Sequence, residues 1–572
     1  MRLINTTTLI IEEFNPKPLP YAILSHTWGP EEVTFEEYTQ NPQRAHSKAG
    51  FVKVRGACAQ AKSDGYNCVW VDTNCIKKTD PLELGEAINS MFKWYREAGI
   101  CYVYLADVPD GAVSVDKRGQ LTVSSSFDKS RWFTRGWTLQ ELLAPKHVVF
   151  YSQNWQPLGS KNTLQHPLSQ ITGVPADYLV GNKPLRAASV AEKMSWLSKR
   201  VTHRVEDMAY SVIGIFDVSM PFIYGEGAHA FLRLQEAILD ATHDHSIFCW
   251  EWNRAVDRSW ANVLAPCPEA FSKSAVYSPK LWSKDDKFTP YEIYNGGLWI
   301  ELPIVQTADP SVVLAVLEVE VRGQEGNDFR VGLPLRTGRL HQRLPFPFQP
   351  VPIDNTVLGA TNRIKINASD TPQDHRFTTR VVSGQEDLAN RLHADLGRVS
   401  RSQVGFFLAF QLDDYEVELV PTQPGVELLR SISTVTFSDD VAGGYSSFMA
   451  TALKIKHKTI GETIVLLAAR RQGSGYLFFS HALPPNRRRT KTSIDSALAK
   501  LRERSARENS DKSYQSGREM CVTMGGSFPL SENGGPTVKA AQMWVNKAAR
   551  NTNPVQRVRN GLLGLKRTLS RS

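Results

Sequence analysis

The chain has 572 residues, of which 41% are hydrophobic and 22% are charged. This composition is typical of a globular protein and excludes disorder of the whole chain, and the length predicts about two folded units with extensions. The net charge is +9, but residues 487–572 alone hold 18 Lys or Arg against 6 Asp or Glu, so the basic surplus belongs to the end of the chain.

Targeting and cysteine patterns point to a protein that stays inside the cell. The first residues lack the pattern of a secretion signal, and no apolar run reaches the roughly 20 residues that span a bilayer, so we expect a cytoplasmic protein without a transmembrane segment. Seven scattered cysteines include no C-x-x-C pair. This argues against a disulfide framework and against a structural zinc site.

Short apolar runs alternate with helical patterns in the first part of the chain. The runs are YAIL (21–24), CVWV (68–71), ICYVYLA (100–106) and HVVFY (147–151). Between them, two apolar stripes recur at helical spacing: Phe51, Val54, Cys58 and Ala61, and then Ile88, Met91, Phe92, Tyr95 and Ala98. This alternation predicts an α/β fold in which crossover helices connect the strands of a parallel sheet.

The pattern of apolar and polar residues changes twice after the last of these predicted strands. Helical patterns continue to about residue 245, and β-rich runs such as VVLAVLEVEVRG then predict a mostly antiparallel sandwich or barrel over roughly 290–482. The end is charged and rich in Ser and Gly, with helical patterns only at 493–507 and 537–549. We therefore expect an α/β core (1–160), a helical extension (161–250), a β-rich domain (251–483) and a disordered basic tail (484–572).

Polar residues follow the predicted parallel strands, where ligands bind in open sheets of this kind. The first strand is followed by Ser25, His26, Thr27, Trp28 and Gly29, the second by Asp72, Thr73 and Asn74, and the third by Asp107. The segment SRWFTRGWTLQELLAP precedes the fourth strand and carries Arg131, Trp132, Arg135, Trp137, Gln140 and Glu141. These residues are the candidates for a site.

Four blocks resemble, in order, the successive blocks of fungal heterokaryon-incompatibility (HET) domains: YAILSHTWG, WVDTNCI with the helix EAINSMFKWYREA, YVYLADV, and RGWTLQELLAP. The strings RVEDMAYSVIGIFDVSMPFIYGEG and HSIFCW resemble the region that follows these blocks in large incompatibility proteins, so the resemblance covers about residues 1–270. It implies a module of fungal nonself recognition that triggers programmed cell death. Some members add a nucleotide-binding oligomerisation domain and WD repeats, which this sequence lacks.

A more distant similarity is to Toll/interleukin-1 receptor (TIR) domains, many of which cleave the glycosidic bond of NAD. The order of strands and helices and the pattern S-x-W-x-x-x-x-W-x-L-x-E-L before the last strand carry this similarity. In those enzymes a glutamate in the matching block does the chemistry, and the matching position here is Glu141. The similarity implies a TIR-like fold and an NAD nucleosidase that uses NAD as a substrate and requires no cofactor.

Glu141 also has a structural interpretation. The string Thr138-Leu-Gln-Glu141 fits a T-x-x-E capping box, in which the glutamate only satisfies a backbone donor at the start of a helix. A helical wheel places Glu141 opposite Leu139, Leu142 and Leu143, so that it can face a cleft. Both interpretations stay open at this stage.

The candidate substrate-binding residues are Ser25, His26, Trp28, Asp72, Arg135 and Trp137. His26 suits a phosphate or a ribose but can instead order its own loop, and Trp28 suits stacking on a ring or packing in the core. Asp72 suits a ribose hydroxyl or a helix cap, and Arg135 suits a phosphate, a carboxylate or a surface ion pair. His243 and His245 flank Asp244 without further ligand spacing, so no metal site is expected.

We expect a death effector that works by self-association, as a homo-oligomer or with other death-signalling proteins, and that has NAD cleavage as its output. The alternative is a non-catalytic HET module in which the same surface builds a homotypic interface. A nucleic-acid partner is not expected, because no nucleic-acid-binding motif accompanies the basic tail.

Overall fold

The computed structural model separates the chain into two units: Met1–Asn295 with Glu318–Arg322, and Gly296–Leu317 with Gly323–Ser572. It describes residues 1–257 apart from 15–19 and 116–120, residues 260, 262–281 and 291–294, and, from 297 to 545, the strands and the helix given below with a few flanking residues. The expected boundaries near 160, 250 and 483 are not tested by this division and stay predictions.

The first unit alternates strands and helices along most of its length. Its strands are β1 (Arg2–Asn5), β2 (Ile11–Glu13), β3 (Ala22–His26), β4 (Cys68–Trp70), β5 (Ile100–Tyr104), β6 (Val113–Val115), β7 (Leu121–Val123), β8 (Val148–Tyr151), β9 (Pro157–Ser160), β10 (Tyr277–Pro279) and β11 (Tyr291–Tyr294). Its α-helices are α1 (Phe35–Gln40), α2 (Pro42–Ser47), α3 (Phe51–Ser63), α4 (Asp72–Cys75), α5 (Pro81–Glu97), α6 (Ser125–Asp128), α7 (Thr138–Leu143), α8 (Gln165–Thr172), α9 (Ala176–Leu179), α10 (Val190–Leu197), α11 (Asp207–Tyr210), α12 (Ile213–Phe216) and α13 (His229–Ala241). Short 3₁₀ helices lie at Arg131–Thr134, Leu185–Ala187, His245–Phe248, Pro268–Phe271 and Ser274–Val276.

Seven strands form one mixed sheet in the order β2-β1-β4-β3-β5-β8-β9. The four central strands β4, β3, β5 and β8 are parallel, and β1, β2 and β9 add antiparallel edges. The predicted β-α-β-α-β order and the parallel sheet are therefore confirmed. In chain order the parallel strands are arranged second, first, third and fourth, which is one of the two common doubly wound arrangements.

This order creates a switch point between β3 and β5. Ala22 to His26 of β3 pair with Ile100 to Tyr104 of β5, while β4 lies on the other side of β3. Connections that leave β3 and β5 in opposite directions open a crevice at the carboxyl ends of these strands. The residues that follow β3 and β4 are therefore brought to one edge of the sheet.

Helices α3 and α5 pack their predicted apolar stripes inward. Phe51, Val54, Cys58 and Ala61 of α3 are buried, and so are Ile88, Met91 and Tyr95 of α5. Asp80 caps α5 by accepting from the amides of Leu82 and Glu83, and Pro81 occupies the first helical turn. Helices α8 to α13 then fill residues 165–241, where the sequence predicts a helical extension.

The second unit is rich in β-structure. Its strands are β12 (Gly297–Thr307), β13 (Val312–Val321, of which the last four residues belong to the first unit), β14 (Phe329–Arg336), β15 (Gln342–Arg343), β16 (Val351–Asp354), β17 (Arg363–Asn367), β18 (Ser402–Phe410), β19 (Tyr415–Val420), β20 (Val426–Leu429), β21 (Thr434–Ser438), β22 (Phe448–His457), β23 (Gly461–Gln472), β24 (Gly475–Ala482), β25 (Lys512–Gln515), β26 (Met520–Pro529) and β27 (Thr537–Val545). One helix, α14 (Lys491–Ser505), accompanies them in the described part.

Two sheets of this unit face each other across a shared core. One contains β18 and β21, and the other has the order β19-β22-β23-β24-β25. Phe406 and Phe437 of the first sheet pack in one apolar cluster with Leu453, Leu467 and Phe478 of the second. Most of the strand pairs are antiparallel, and the arrangement is that of a sandwich.

The expected disorder of the chain after residue 484 is not confirmed. Helix α14 buries Ile494, Leu498 and Leu501 on the face of the five-stranded sheet that points away from the shared core. The helical pattern at 493–507 is therefore confirmed, whereas that at 537–549 is wrong, because Thr537–Val545 is the strand β27 and pairs with β18 and β26. Tertiary pairing overrides local helical preference there. Residues 546–572 lie outside the described residues.

None of the helices in the described part of the chain is long and apolar enough to cross a membrane. The TIR-like detail of the expected fold stays a prediction.

Gly56 offers a test of how α3 packs on the sheet. A β-carbon at Gly56 would overlap the indole of Trp155, which stacks on Tyr104 and is held at a φ of 60°. We expect Gly56→Ala to destabilise the protein by about 1–2 kcal/mol despite the better helix propensity of alanine, because overpacking outweighs it. The control is Gly85→Ala in α5, where the nearest atom would be 3.7 Å away, and it should be neutral or stabilising. Thermal unfolding checks both, and a Gly56→Ala protein as stable as the parent would contradict the packing.

Candidate functional site

A cavity of about 290 Å³ opens at the carboxyl edge of the parallel sheet. Four parts of the first unit line it: the loop after β3, the segment from α4 through α5, the turn before α7 with α7 itself, and residues 203–224 of the helical region. The volume is near the lower end of the range for small-molecule sites. It suits a group of the size of a nucleoside.

Glu141 is a buried residue of this cavity and does not cap a helix. The first residue of α7 is Thr138 and its N-cap is Trp137, which makes no side-chain capping bond. The Thr138 hydroxyl instead donates to the carbonyls of Trp132 at 2.6 Å and Arg135 at 2.9 Å. The capping-box interpretation is therefore wrong. The same T-x-x-E pattern does form a capping box at Thr34 and Glu37 of α1.

A chain of hydrogen bonds orients the Glu141 carboxyl. The Ser25 hydroxyl at the end of β3 donates to Oε2 of Glu141 and accepts from Nε1 of Trp132 at 2.8 Å. Burial raises the pKa of Glu141 to about 8, against the lowering effect of the Ser25 hydrogen bond, and the nearby Asp72 raises it further. The carboxyl is therefore mostly protonated at neutral pH.

Asp72 organises a second group of the residues that line the cavity. Its Oδ1 accepts from Nε2 of His26 at 3.0 Å, and its Oδ2 accepts from Nε1 of Trp28 at 3.0 Å and from Nζ of Lys78 at 3.2 Å. The Lys78 ammonium also lies 3.5 Å from the centre of the Trp28 ring. Asp72 does not cap α4, whose N-cap is Val71 without a side-chain bond.

The protonation pattern around Asp72 follows from these bonds. Nζ of Lys53 lies 3.1 Å from Nδ1 of His26 and can only donate, so Nδ1 accepts and the ring proton on Nε2 points to Asp72. Burial by itself would raise the pKa of Asp72, but the positive Lys78 and the His26 hydrogen bond hold it well below its ordinary range. Asp72 is therefore ionised at the pH values at which Glu141 is protonated.

The helical region supplies the remaining wall. Arg200 is buried, and its Nη1 donates to the carbonyl of Arg135 at 2.8 Å and to the Thr138 hydroxyl at 2.9 Å. Asp207 accepts from the Tyr224 hydroxyl at 3.0 Å, and the Arg204 guanidinium lies 4.3 Å from the centre of the Tyr224 ring. Burial raises the pKa of Asp207.

The structure brings most of the sequence candidates together. The residues that line the cavity are His26, Trp28, Asp72, Arg135, Trp137 and Glu141. Ser25 is fully buried and is connected to the cavity by its hydrogen bond to Glu141. His26 binds the neighbouring Asp72 and Lys53, and Trp28 is 45% exposed, so neither residue has a purely local or core role.

Sequence reasoning missed several residues of the cavity. These are, among others, Lys78, Tyr95, His203, Arg204, Asp207 and Tyr224. Arg204 and Asp207 belong to the string RVED, and Tyr224 belongs to the string YGEG. These polar strings within the helical region were the sequence pattern that could have indicated the three residues. Of the remaining candidates, Asp107 accepts from the Ser130 hydroxyl and the amide of Arg131, which orders the turn before the 3₁₀ helix.

The string with His243, Asp244 and His245 has structural contacts. Asp244 accepts from the amides of Val190 and Ser246, and His245 lies 3.9 Å from Glu318 with both side chains buried. Among the described residues, no group of three or more His, Cys, Asp or Glu is arranged to hold a metal ion.

Residues 21–120 match the sequence model of the family described as heterokaryon incompatibility protein (HET). The N-terminal unit therefore carries a HET domain, and the resemblance seen in the sequence blocks is confirmed. A curated relative is the vegetative incompatibility protein HET-E-1 of Podospora anserina, which is 51% identical over 225 residues. The matched part covers 38% of this chain and 16% of that protein.

No solved structure matches the chain. The similarity to TIR domains is not shown by these comparisons and stays a prediction.

The buried Glu141 makes the stability of the protein depend on pH. Because burial raises the pKa from 4.5 to about 8, the folded carboxyl holds a proton that the unfolded chain has already released. The protonated Glu141 carboxyl contributes its full stability below the pKa that it has in the unfolded chain. This contribution is lost as the pH rises towards the pKa of the folded state, by up to about 1.4 kcal/mol per pH unit. We expect the stability of the parent relative to Glu141→Gln to fall between about pH 5 and pH 8, as measured by thermal unfolding.

The control for this measurement is Glu86→Gln, on the exposed face of α5. This substitution should leave the slope with pH unchanged. A parent and a Glu141→Gln protein that show the same pH dependence would mean that Glu141 is ionised in the folded state.

Proposed function

We propose that the chain acts in vegetative incompatibility by triggering cell death, and that the cavity of its N-terminal unit cleaves the glycosidic bond of NAD. The HET domain and the 51% identical region of a vegetative incompatibility protein support the first part. The single observation that carries the second part is the buried carboxyl of Glu141 at the end of a cavity lined by aromatic rings.

Aromatic and apolar side chains suit the flat nicotinamide ring. Trp28 and Trp137 lie among the lining residues, and Leu84, Ile88 and Met91 supply apolar surface. Rings stack on aromatic faces, and a cationic pyridinium ring gains further from such a face. The ribose attached to the ring would then lie towards Glu141.

The protonated state of Glu141 in the free protein is compatible with this chemistry. The positive pyridinium ring of bound NAD favours the ionised carboxylate, because an opposite charge at short range lowers the pKa of a carboxyl group. Ser25 donates to the carboxylate and keeps it oriented, while burial keeps bulk water away. Binding of the substrate would therefore create the negative charge that the reaction uses.

In the proposed step, the bond between C1′ of the ribose and the nicotinamide nitrogen breaks, and its electron pair leaves with nicotinamide. Positive charge develops on the ribose as an oxocarbenium ion, and the Glu141 carboxylate stabilises it. A water molecule forms a bond to C1′ and gives one proton to Glu141, which passes it to solvent. The products are ADP-ribose, nicotinamide and a proton.

Glu141→Gln separates the catalytic proposal from an interaction role. The amide keeps a similar shape but cannot carry negative charge, so nicotinamide release should fall by about 100-fold or more. Killing should be lost in a fungal host that expresses the full chain at the parental level. Nicotinamide release by purified, concentrated protein and a growth assay check the two effects, with Glu86→Gln as the exposed control that should retain both.

Two results would count against the proposal. A folded Glu141→Gln protein that kills as well as the parent would eliminate Glu141 as the catalytic residue. A parent protein that kills but releases no nicotinamide at high concentration would favour the alternative, a HET module that acts only by homotypic association.

A further inference from the structure

Among the described residues, one cation of the cavity has no counter-charge of its own. The Arg135 side chain lines the cavity and makes no hydrogen bond, ion pair or ring contact within the described part of the chain. It is half-buried. A guanidinium in such a position is normally matched by an anion, because partial burial makes an uncompensated charge costly.

The other charges of the cavity leave this cation unmatched. Lys78 offsets Asp72 through their direct contact. The pKa of Glu141 is raised to about 8 by burial, so that carboxyl adds little negative charge at neutral pH. Burial raises the pKa of Asp207, and the positive charge of Arg204 opposes this only in part. The positive charge of Arg135 therefore remains.

Main-chain contacts hold Arg135 in place independently of its side chain. The amide of Val201 donates to the carbonyl of Thr134 at 2.7 Å, and the amide of Gly136 donates to the carbonyl of Val201 at 3.0 Å. Arg200 binds the carbonyl of Arg135 itself. These bonds join the turn before α7 to the segment that continues into His203 and Arg204, and all three side chains line the cavity.

We propose that Arg135, with His203 and Arg204 at the rim, binds a phosphate or diphosphate ester of the ligand. Arg204 and His203 are exposed and line the same cavity as Glu141, which is buried. A cavity of about 290 Å³ holds a ring and a ribose, so the rest of a dinucleotide extends outside it. The fork of a guanidinium matches a phosphate with two parallel hydrogen bonds.

This inference rests on the proposed function, since it concerns the same cavity, and it adds what that cavity selects. Ligands with a phosphate ester next to the ribose are bound, and the corresponding phosphate-free nucleosides are bound more weakly. Selection by Arg135 also makes binding sensitive to salt, because part of the attraction is between exposed charges.

The test is the affinity of the purified full chain for ADP-ribose, inorganic diphosphate and nicotinamide riboside, measured by titration calorimetry. We expect Arg135→Gln to weaken ADP-ribose and diphosphate binding by about 10- to 100-fold, the usual loss for a hydrogen-bonded charge, and to change nicotinamide riboside binding by no more than about 2-fold. Arg135→Lys, which keeps the charge but not the fork, should fall between parent and Arg135→Gln. The matched control is Arg186→Gln, an exposed arginine outside the cavity, which should bind as the parent does.

The subsite would be overturned if the parent bound neither ADP-ribose nor diphosphate, or if Arg135→Gln bound both as tightly as the parent does. It would also be overturned if Arg135→Gln weakened the binding of nicotinamide riboside as much as that of ADP-ribose. Failure of the proposed function is a separate outcome. A parent that binds ADP-ribose through Arg135 but releases no nicotinamide keeps the subsite and overturns NAD cleavage. If the parent and Arg135→Gln release nicotinamide with the same KM, NAD cleavage is retained as a proposal and the subsite is overturned.

Discussion

A carboxyl group that is buried away from water needs hydrogen-bond partners, and Glu141 finds its partner in Ser25, which precedes it by 116 positions. Ser25 in turn accepts from the indole of Trp132, which is fully buried. This short chain of bonds joins the end of β3, the 3₁₀ helix and α7. These bonds tie α7, whose Thr138 and Glu141 line the cavity, to the sheet.

Two carboxyl groups at the same edge of the sheet have opposite protonation behaviour. Three donors surround Asp72, so it is ionised and its pKa lies well below the ordinary range, although burial opposes this. The pKa of Glu141 is raised, because burial exceeds the effect of the Ser25 bond and Asp72 adds negative charge nearby. Environments that drive the pKa values of two acids apart are how proteins assign them different roles. Here Asp72 accepts hydrogen bonds from Trp28 and His26, whereas Glu141 keeps its proton at neutral pH.

The match to the HET family model covers only part of this site. Residues 21–120 include the loop after β3 and the Asp72 cluster, but Glu141, Arg135 and the wall at 203–224 lie beyond them. Arg200 connects that wall to the turn before α7 through a main-chain carbonyl and the Thr138 hydroxyl. The cavity therefore depends on the helical region as much as on the sheet, and substitutions in the helical region bear on the site directly.

The amino-acid sequence by itself determined the parallel sheet, since its apolar runs and helical stripes are local patterns that burial enforces on each element. It also determined which residues follow the strands, so His26, Trp28 and Asp72 could be assigned to one edge. Only the tertiary structure decided that Glu141 does not cap a helix, because the T-x-x-E pattern is the same at Thr34 and Thr138 and only the helix start differs. The same holds for the positions of Tyr224 and of the helix Lys491–Ser505, which are set by contacts with other segments that no local pattern encodes.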